Sequence, residues 1–209
     1  MSTTTSRRLV VVHAGLGQPS STGLLAERLA AATSDELLEH GDEAIVEVVD
    51  LRDHAQALAN ALLTGFASGA LREAFEAVAA ADGVIAVTPV YQASYSGLFK
   101  LFFDSLRDGE LRGTPVLMAA TAGTARHSLV LEHAMRPMFA YLKAVTVPTG
   151  VFAASEDWGT SGTVDRGLET RIGIAAGELA DLVTGQQAAR TRADDFTVTV
   201  PFEELLRGT

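Results

Sequence analysis

The sequence predicts a single α/β domain in which helices cover both faces of a five-stranded parallel sheet, a three-layer, doubly wound arrangement. Short apolar runs alternate along the chain with longer segments whose apolar residues recur at helical spacing. Hydrophobic residues make up 47% of the chain and aromatic residues only 6%, a mixture that suits helices packed on a parallel sheet. The 209 residues contain no repeat and no low-complexity linker, so one core is expected.

The first half of the chain predicts two strands and two helices. The run Leu9–His13 is rich in β-branched residues and is typical of a buried strand. A helix is predicted over Thr22–His40, followed by a second strand over Ala44–Asp50. Residues 51–68 show no clean period, so we expect a long connection with one helical turn. A further helix is predicted over Gly69–Ala81.

The middle of the chain predicts a strand, a helix and a strand. The apolar run Gly83–Thr88 forms the third strand, which Pro89 is expected to end. Ser96–Arg107 is predicted to be helical, with Ser96 as its N-cap. The fourth strand is predicted over Thr114–Ala120.

The last third predicts two helices and the fifth strand. A helix over His127–Leu142 is expected to kink or break at Pro137, because proline lacks the N–H that continues a helix. The fifth strand is predicted over Ala144–Ala153 and the last helix over Val164–Gly185. We therefore expect a domain over residues 1–185, followed by a tail over 186–209 that holds the short alternating stretch Phe196–Val200.

The composition argues against several classes of function. There are 26 acidic and 16 basic residues, a formal net charge of -10, and no basic stripe that would indicate a nucleic-acid or membrane-surface partner. No cysteine is present, which removes disulfides, thiol catalysis and thiolate metal sites. No paired metal-ligand spacing occurs, so no metal is predicted. No apolar run has the length of a signal peptide or a membrane span, and a cytoplasmic protein is expected.

Ligands of doubly wound sheets bind beyond the carboxyl ends of the strands, so the loops after strands one, three and four are the candidate site. The first loop contains Gly15 and Gly17, which let the backbone turn sharply, and then three hydroxyl residues at the start of a helix. Ser20, Ser21 and Thr22, with the free N–H groups and the positive dipole end of that helix, suit a phosphate monoester. The alternative is that these side chains only cap the helix.

The same loop half-matches a dinucleotide-binding fingerprint. It contains Gly15 and Gly17 but lacks the third glycine, and Pro19 stands inside the turn. Asp50 ends the second strand, where a ribose-binding carboxylate would lie. A nucleotide-binding module therefore stays open as an alternative. The loop contains no lysine or arginine, so a phosphate would be held by neutral donors and the helix dipole.

The second and third loops could hold a flat aromatic ring. In the second loop, Tyr91 and Tyr95 are spaced so that they could wall such a ring. In the third loop, Gly123 permits close approach to the backbone, whose N–H groups could donate to a ring edge that gains negative charge. His127 begins the following helix and is expected to be structural.

Two segments then carry a resemblance to a known family. TPVYQASYSGLFKLFFD, together with TAGTARHSLVLEHAMRPMFAYL, resembles the NAD(P)H-dependent FMN reductases of flavodoxin-like fold, over about Leu9 to Ala153. The likeness is strongest to the branch that supplies reduced flavin to two-component flavin monooxygenases. It implies a strand order of 2-1-3-4-5 and an FMN-binding reductase domain.

The resemblance also implies which residues hold FMN. Gly17, Ser20, Ser21 and Thr22 would bind the phosphate. One side of the isoalloxazine would be lined by residues of the second loop: Pro89, Val90, Tyr91, Ala93, Ser94 and Tyr95. Its polar edge would be contacted by residues of the third loop: Thr121, Ala122, Gly123 and, toward a phosphate or the reduced flavin, Arg126. The chain departs from the family in two places, where the first loop lacks its frequent arginine and Ala122-Gly123 replaces Gly-Gly.

By this resemblance, NAD(P)H passes a hydride to the flavin, and the protein positions the two cofactors without a catalytic acid or base. Three alternatives stay open: a quinone or azo-compound reductase with bound FMN, a flavodoxin-type electron carrier, and the nucleotide-binding module named above. The resemblance further implies a homodimer or homotetramer and a flavin-dependent monooxygenase as partner. The uncharged phosphate loop predicts that flavin is released as a product at least part of the time.

Overall fold

The structure is a computed structural model that describes residues 5–158 and 166–194, with side chains up to residue 185. It confirms the predicted parallel sheet with helices on both faces. The strands are β1 (Ser6–His13), β2 (Glu43–Asp50), β3 (Gly83–Tyr91), β4 (Ser94–Tyr95), β5 (Pro115–Ala122), β6 (Val145–Thr146) and β7 (Val151–Ala154). The parallel order is β2-β1-β3-β5-β6, with β7 also beside β5 and β4 paired antiparallel to β3.

The helices form two layers. They are α1 (Ser21–Glu39), α2 (Ala55–Thr64), α3 (Ala70–Ala79), α4 (Gly97–Asp104), α5 (Arg136–Tyr141) and α6 (Arg166–Asp194). Side chains of α1 and α6 bury with Leu9 and Val11 on one face of the sheet. Side chains of α2, α3, α4 and α5 bury with Val10 and Val12 on the other. Successive residues of β1 therefore pack into opposite cores, because side chains alternate between the two faces of a strand.

The predicted fifth strand, Ala144–Ala153, is two short strands. β6 pairs with the amino-terminal part of β5, and β7 pairs with its carboxyl-terminal part. Pro148 lies between them and has no N–H to give to a ladder. The prediction of a continuous strand was wrong, although both pieces lie on the side of β5 that the predicted order gives.

Residues 51–68 contain a full helix, α2, where the sequence predicted a connection with one turn. Its buried side chains are Leu58 and Ala61, whereas Leu62 and Leu63 are exposed. Exposed apolar residues therefore interrupt the polar face of this helix, and that obscured the helical period in the sequence. The prediction of a largely irregular connection was wrong.

Pro89 does not end β3, which continues to Tyr91. Beyond Val87, β1 no longer pairs with β3. Pro89 pairs with Thr121 of β5, and β4 pairs with β3 only from Val90 onward. The edge of Pro89 opposite β5 therefore has no ladder partner, and a strand tolerates a proline at such a free edge. The expected end at Thr88 was therefore three residues too early.

The segment predicted as one helix over His127–Leu142 is broken, as Pro137 led us to expect. A 3-10 turn (Ala125–His127) and a π-helical turn (Leu131–Met135) precede α5, in whose first turn Pro137 lies. Proline lacks the N–H that would reach the carbonyl of His133, so the regular helix begins only at Arg136.

The remaining boundaries shift by a few residues. Ser96 is the N-cap of α4, as predicted, and its Oγ accepts a hydrogen bond from the N–H of Phe99, but the helix ends at Asp104 and not at Arg107. The last helix runs past Gly185 to Asp194. The alternating stretch Phe196–Val200 lies outside the described residues. Of the helices that the structure describes, none has the length and apolarity needed to cross a membrane.

Candidate functional site

The first loop folds back on the start of α1. Ser20 is the N-cap of this helix, and its Oγ accepts a hydrogen bond of 3.1 Å from the N–H of Gly23. A Cβ on Gly15 would lie 2.0 Å from that Oγ, so a larger residue there would displace the Ser20 hydroxyl from its capping position. Ser20 is thus a capping residue whose hydroxyl proton is still free to be donated. Gly17 and Ser21 are exposed and stand at the mouth of the loop.

A buried hydroxyl pair connects the first loop to the third. The Oγ1 atoms of Thr22 and Thr121 are 2.7 Å apart, and both residues are almost fully buried. Thr121 lies near the end of β5 and is in register with Pro89 of β3. The structure therefore brings one residue of each predicted segment into a continuous row at the carboxyl edge of the sheet.

The second loop is a tight β-hairpin. β3 and β4 pair through Val90 with Tyr95 and through Tyr91 with Ser94. Gln92 and Ala93 form the two-residue turn, with φ angles of 49° and 67°. Such a turn requires the left-handed region at both positions, and there a non-glycine residue is strained. No Asn-Gly signal announced it, so the sequence did not reveal the hairpin.

The two tyrosines lie on opposite faces of that hairpin. Directly paired residues share a face, so Tyr95 is with Val90, and Tyr91 is with Ser94. Tyr95 packs toward the core, 6.0 Å from the ring of Phe99, whereas Tyr91 is exposed. The expectation that both tyrosines wall one ring was therefore wrong.

The third loop presents its backbone to solvent. Ala122 is half-buried and ends β5, and Gly123 after it is exposed, with nothing within 4 Å of a Cβ built on it. The Oγ1 of Thr124 then accepts a hydrogen bond from the N–H of Arg126 and begins the 3-10 turn. The Arg126 side chain is exposed and makes no ion pair with the described part of the chain.

A cavity of about 810 Å³ opens beside the first loop. It runs from the start of α1 toward the end of β2 and the 3-10 turn Ser155–Trp158. Besides residues of the first loop and of α1, its lining contains His13, Asp50, Arg52, Ser155 and Trp158.

His13 is the buried titratable group of this cavity. Its Nδ1 is 3.9 Å from an Asp50 carboxylate oxygen and has no hydrogen-bond partner among the described residues. Burial holds the pKa of His13 below its ordinary value, against the opposite effect of Asp50 and, more weakly, of Glu27 and Asp53, while Arg52 also lowers it. Asp50 in turn accepts a hydrogen bond from Arg52 Nη2 at 3.3 Å.

Sequence reasoning missed part of this cavity. It singled out Asp50 from its place at the end of a strand, but it did not consider His13, Arg52 or Trp158. His13 ends β1, and Arg52 comes two residues after the end of β2. These positions at strand ends are the signal that could have identified both residues. Trp158 follows β7 in the sequence, and only the folded chain brings it to the same cavity as the first loop.

Comparisons with known proteins agree with this geometry. A family model described as NADPH-dependent FMN reductase matches residues 7–159. An FMN reductase (NADPH) from Pseudomonas aeruginosa is 36% identical over 179 residues, which cover 86% of this chain and 94% of that protein. The NADH-dependent FMN reductase SfnE of Pseudomonas putida is 35% identical over 189 residues, covering 90% of this chain and 99% of the relative.

Solved structures of oxidoreductases are also similar to this chain. An oxidoreductase from Corynebacterium diphtheriae superimposes with a TM-score of 0.82 at 44% identity, covering 86% of this chain and 98% of that one. The apo form of the NADH:FMN oxidoreductase EmoB gives a TM-score of 0.71 at 27% identity, covering 83% and 88% of the two chains.

The sheet order, with helices on both faces, defines a flavodoxin-like fold. A WrbA-like flavodoxin from Agrobacterium tumefaciens shares this fold, with a TM-score of 0.59 at 19% identity. The chain belongs to the NADPH-dependent FMN reductase family. Its reaction is hydride transfer from NAD(P)H to FMN.

Proposed function

We propose that FMN is a diffusible substrate of this enzyme, bound across the three loops and released in reduced form to a flavin-dependent monooxygenase. The observation that carries the binding site is the hydrogen-bonded pair of Thr22 and Thr121, 2.7 Å apart. It joins the phosphate-binding end of the site to the end that would hold the ring.

The residues present fit FMN. The phosphate would be held by Ser20, Ser21, Thr22 and the backbone of Gly17, at the N-terminus of a helix of 19 residues. The ring would lie against one face of the hairpin segment that contains Pro89, Val90, Tyr91, Ala93, Ser94 and Tyr95. Its polar edge would meet Thr121, Ala122 and Gly123, with Arg126 beyond. The open space at Gly123 leaves room for that edge.

Bound FMN supplies the hydride-accepting ring, and the chain supplies position. The strained turn at Gln92 and Ala93 fixes the hairpin without flexible glycine. Thr88 secures its base, because its Oγ1 accepts a hydrogen bond from the N–H of Ser96 at 3.0 Å. A rigid platform of this kind orients one face of the ring toward the nicotinamide, which is what a transfer without acid or base groups requires.

Release of flavin is supported by the charge of the first loop. Residues 14–22 contain no lysine or arginine, so within this loop the phosphate dianion meets only neutral donors and a helix dipole that contributes about 0.3–2 kcal/mol. The net charge of -10 further disfavours retention of an anion. We place the enzyme in the cytoplasm, where NAD(P)H is its hydride source.

The test of phosphate recognition is a comparison of FMN with riboflavin. Charge-assisted hydrogen bonds contribute about 1.5–3 kcal/mol each, so loss of the phosphate should weaken binding strongly. We expect calorimetry to give a dissociation constant for riboflavin at least about tenfold above that for FMN. Equal affinities for FMN and riboflavin would show that the first loop does not bind the phosphate, and would overturn the proposed site.

We also propose that the enzyme is a homodimer or homotetramer. Leu63 and Phe66 on and after α2 are 85% and 81% exposed, and Tyr141 at the end of α5 is 85% exposed. Large apolar side chains exposed to this degree are what an association surface would cover.

Substitution at this surface should dissociate the assembly. We expect Leu63→Lys to lower the mass measured by light scattering at micromolar concentration, because a charge is costly inside an apolar interface. Leu38→Lys is the matched control, since Leu38 is exposed at the far end of α1 and should leave the mass unchanged. A wild-type monomer would refute the proposal.

A further inference from the structure

His13 lies beneath the helix end that is proposed to hold the flavin phosphate. It is the last residue of β1, directly before the first loop, and it lines the cavity beside that loop. It shares a face of β1 with Leu9 and Val11, the face that α1 covers. Its Cε1 is 3.8 Å from the place of a Cβ on Gly23, in the first turn of α1. A charge on this ring would therefore act on a phosphate at the start of the helix.

One nitrogen of this ring is buried without a partner. His13 is 9% exposed, and its Nδ1 has no hydrogen-bond partner among the described residues. Asp50, its neighbour across β1 and β2, has a carboxylate oxygen 3.9 Å from Nδ1, which is too far for a hydrogen bond. Buried polar atoms normally find a partner. The imidazolium form carries hydrogen on both nitrogens, and its Nδ1–H would find one in the Asp50 carboxylate.

The surroundings of His13 leave it neutral at pH 7 in the free protein. Burial is the largest effect, and it holds the pKa of His13 below its ordinary value. Charged groups on the neighbouring elements act more weakly: Asp50 on β2, Glu27 on α1 and Asp53 after β2 raise the pKa, and Arg52 after β2 lowers it. A phosphate dianion would add a further negative charge close to the ring, and such a charge favours the imidazolium.

We propose that His13 takes up a proton from solvent when the flavin phosphate binds at the start of α1, and so supplies the positive charge that residues 14–22 lack. The inference rests on the proposed placement of the flavin phosphate at the first loop. Because the charge is present only with the phosphate, the empty site does not bear the cost of a buried cation. The enzyme then holds FMN more tightly at low pH than at high pH.

Proton uptake gives this contribution a defined pH dependence. The gain in FMN affinity is complete below the pKa of His13 in the free protein, and it is lost as the pH rises through the higher pKa of the complex. A difference of one unit between the two pKa values changes the affinity about tenfold. A phosphate monoester itself titrates at about pH 6, so the experiment must separate that protonation from the protonation of His13.

The test compares FMN binding by His13→Gln and by wild type across pH, since the ratio of the two dissociation constants cancels the titration of the phosphate. We expect the variant to bind about tenfold more weakly at about pH 6 and nearly as tightly as wild type at about pH 8.5. His40→Gln is the matched control, because His40 is exposed at the other end of α1. A ratio that is independent of pH would make His13 a structural residue and overturn the proposal.

A proton NMR titration of wild type needs no altered protein. The pKa of His13 should be at least about one unit higher with FMN than without it, whereas riboflavin, which lacks the phosphate, should leave it unchanged. Asp50→Asn should lower the pKa of His13, through loss of the neighbouring negative charge. Glu47→Gln should not, since this exposed carboxylate is on the same strand and outside the cavity lining. Equal pKa values with FMN and with riboflavin would overturn the proposal.

Turnover gives a further readout. The KM for FMN should rise more between about pH 6 and pH 8.5 in wild type than in His13→Gln, while kcat follows the same pH profile in both, because the proton acts on binding. Failure of the inference and failure of the proposed site look different. If FMN binds more tightly than riboflavin but the pKa of His13 does not change, only the inference fails. If FMN and riboflavin bind equally, the phosphate site fails and the inference fails with it.

Discussion

Gly123→Val is expected to weaken FMN binding by roughly ten- to hundredfold while leaving the free protein folded. In the free protein a Cβ at this position meets nothing within 4 Å, and the residue is exposed at the end of β5. The added side chain would therefore cost little without ligand. With FMN bound, it would stand where the polar edge of the ring is proposed to lie, and overpacking there opposes binding.

The measurement is an FMN titration by calorimetry, together with the thermal midpoint of the free variant. Gly173→Val in α6 is the matched control, because a Cβ there also meets nothing within 4 Å and the site is distant. It should leave FMN affinity unchanged. A Gly123→Val protein that is as stable as wild type and binds FMN equally well would remove the third loop from the flavin site.

The double substitution Ser20→Ala with Ser21→Ala is expected to raise the FMN dissociation constant by about two orders of magnitude. Two charge-assisted hydrogen bonds to phosphate, at about 1.5–3 kcal/mol each, account for that loss. The fold should persist, because neither side chain belongs to either core, although Ser20 caps α1.

The single variants separate capping from binding. Ser20 caps α1, so Ser20→Ala should also lower the free energy of unfolding by about 0.5–2 kcal/mol. Ser21 is exposed and is not the capping residue of α1, so Ser21→Ala should lower FMN affinity without lowering the free energy of unfolding. Riboflavin binding should be the same in all three variants. A loss of riboflavin affinity as large as that of FMN would mean that the loop was distorted and does not contact the phosphate.

Much of the fold could be predicted because parallel strands buried on both faces leave a strong signal. Val10 and Val12 face one core and Leu9 and Val11 the other, and so the whole run is apolar. The sequence pattern gave a wrong prediction where apolar residues are exposed and so do not mark the buried face of an element. In α2, exposed Leu62 and Leu63 filled the polar face, and the helical period disappeared.

The candidate site could be predicted by segment but not by geometry. Strand ends and helix starts are visible in a sequence, so the sequence indicates the loops with Ser20, Pro89 and Gly123 as candidates. Which faces meet depends on pairing, and the two-residue turn that places Tyr91 and Tyr95 on opposite faces has no glycine to announce it. The approach of Trp158 to the first loop comes from packing between elements far apart in sequence.

The most direct test of a diffusible flavin is to load the protein with FMN, dialyse it, and titrate free FMN into an NAD(P)H oxidation assay. We expect dialysis to remove most of the flavin, because the first loop offers no formal positive charge. Turnover should then rise with free FMN and saturate, and the reduced FMN should appear in a filtrate prepared without oxygen. If flavin stays bound at one per chain and free FMN does not stimulate oxidation, the flavin is a fixed prosthetic group. That result would contradict release and favour a quinone or azo-compound reductase.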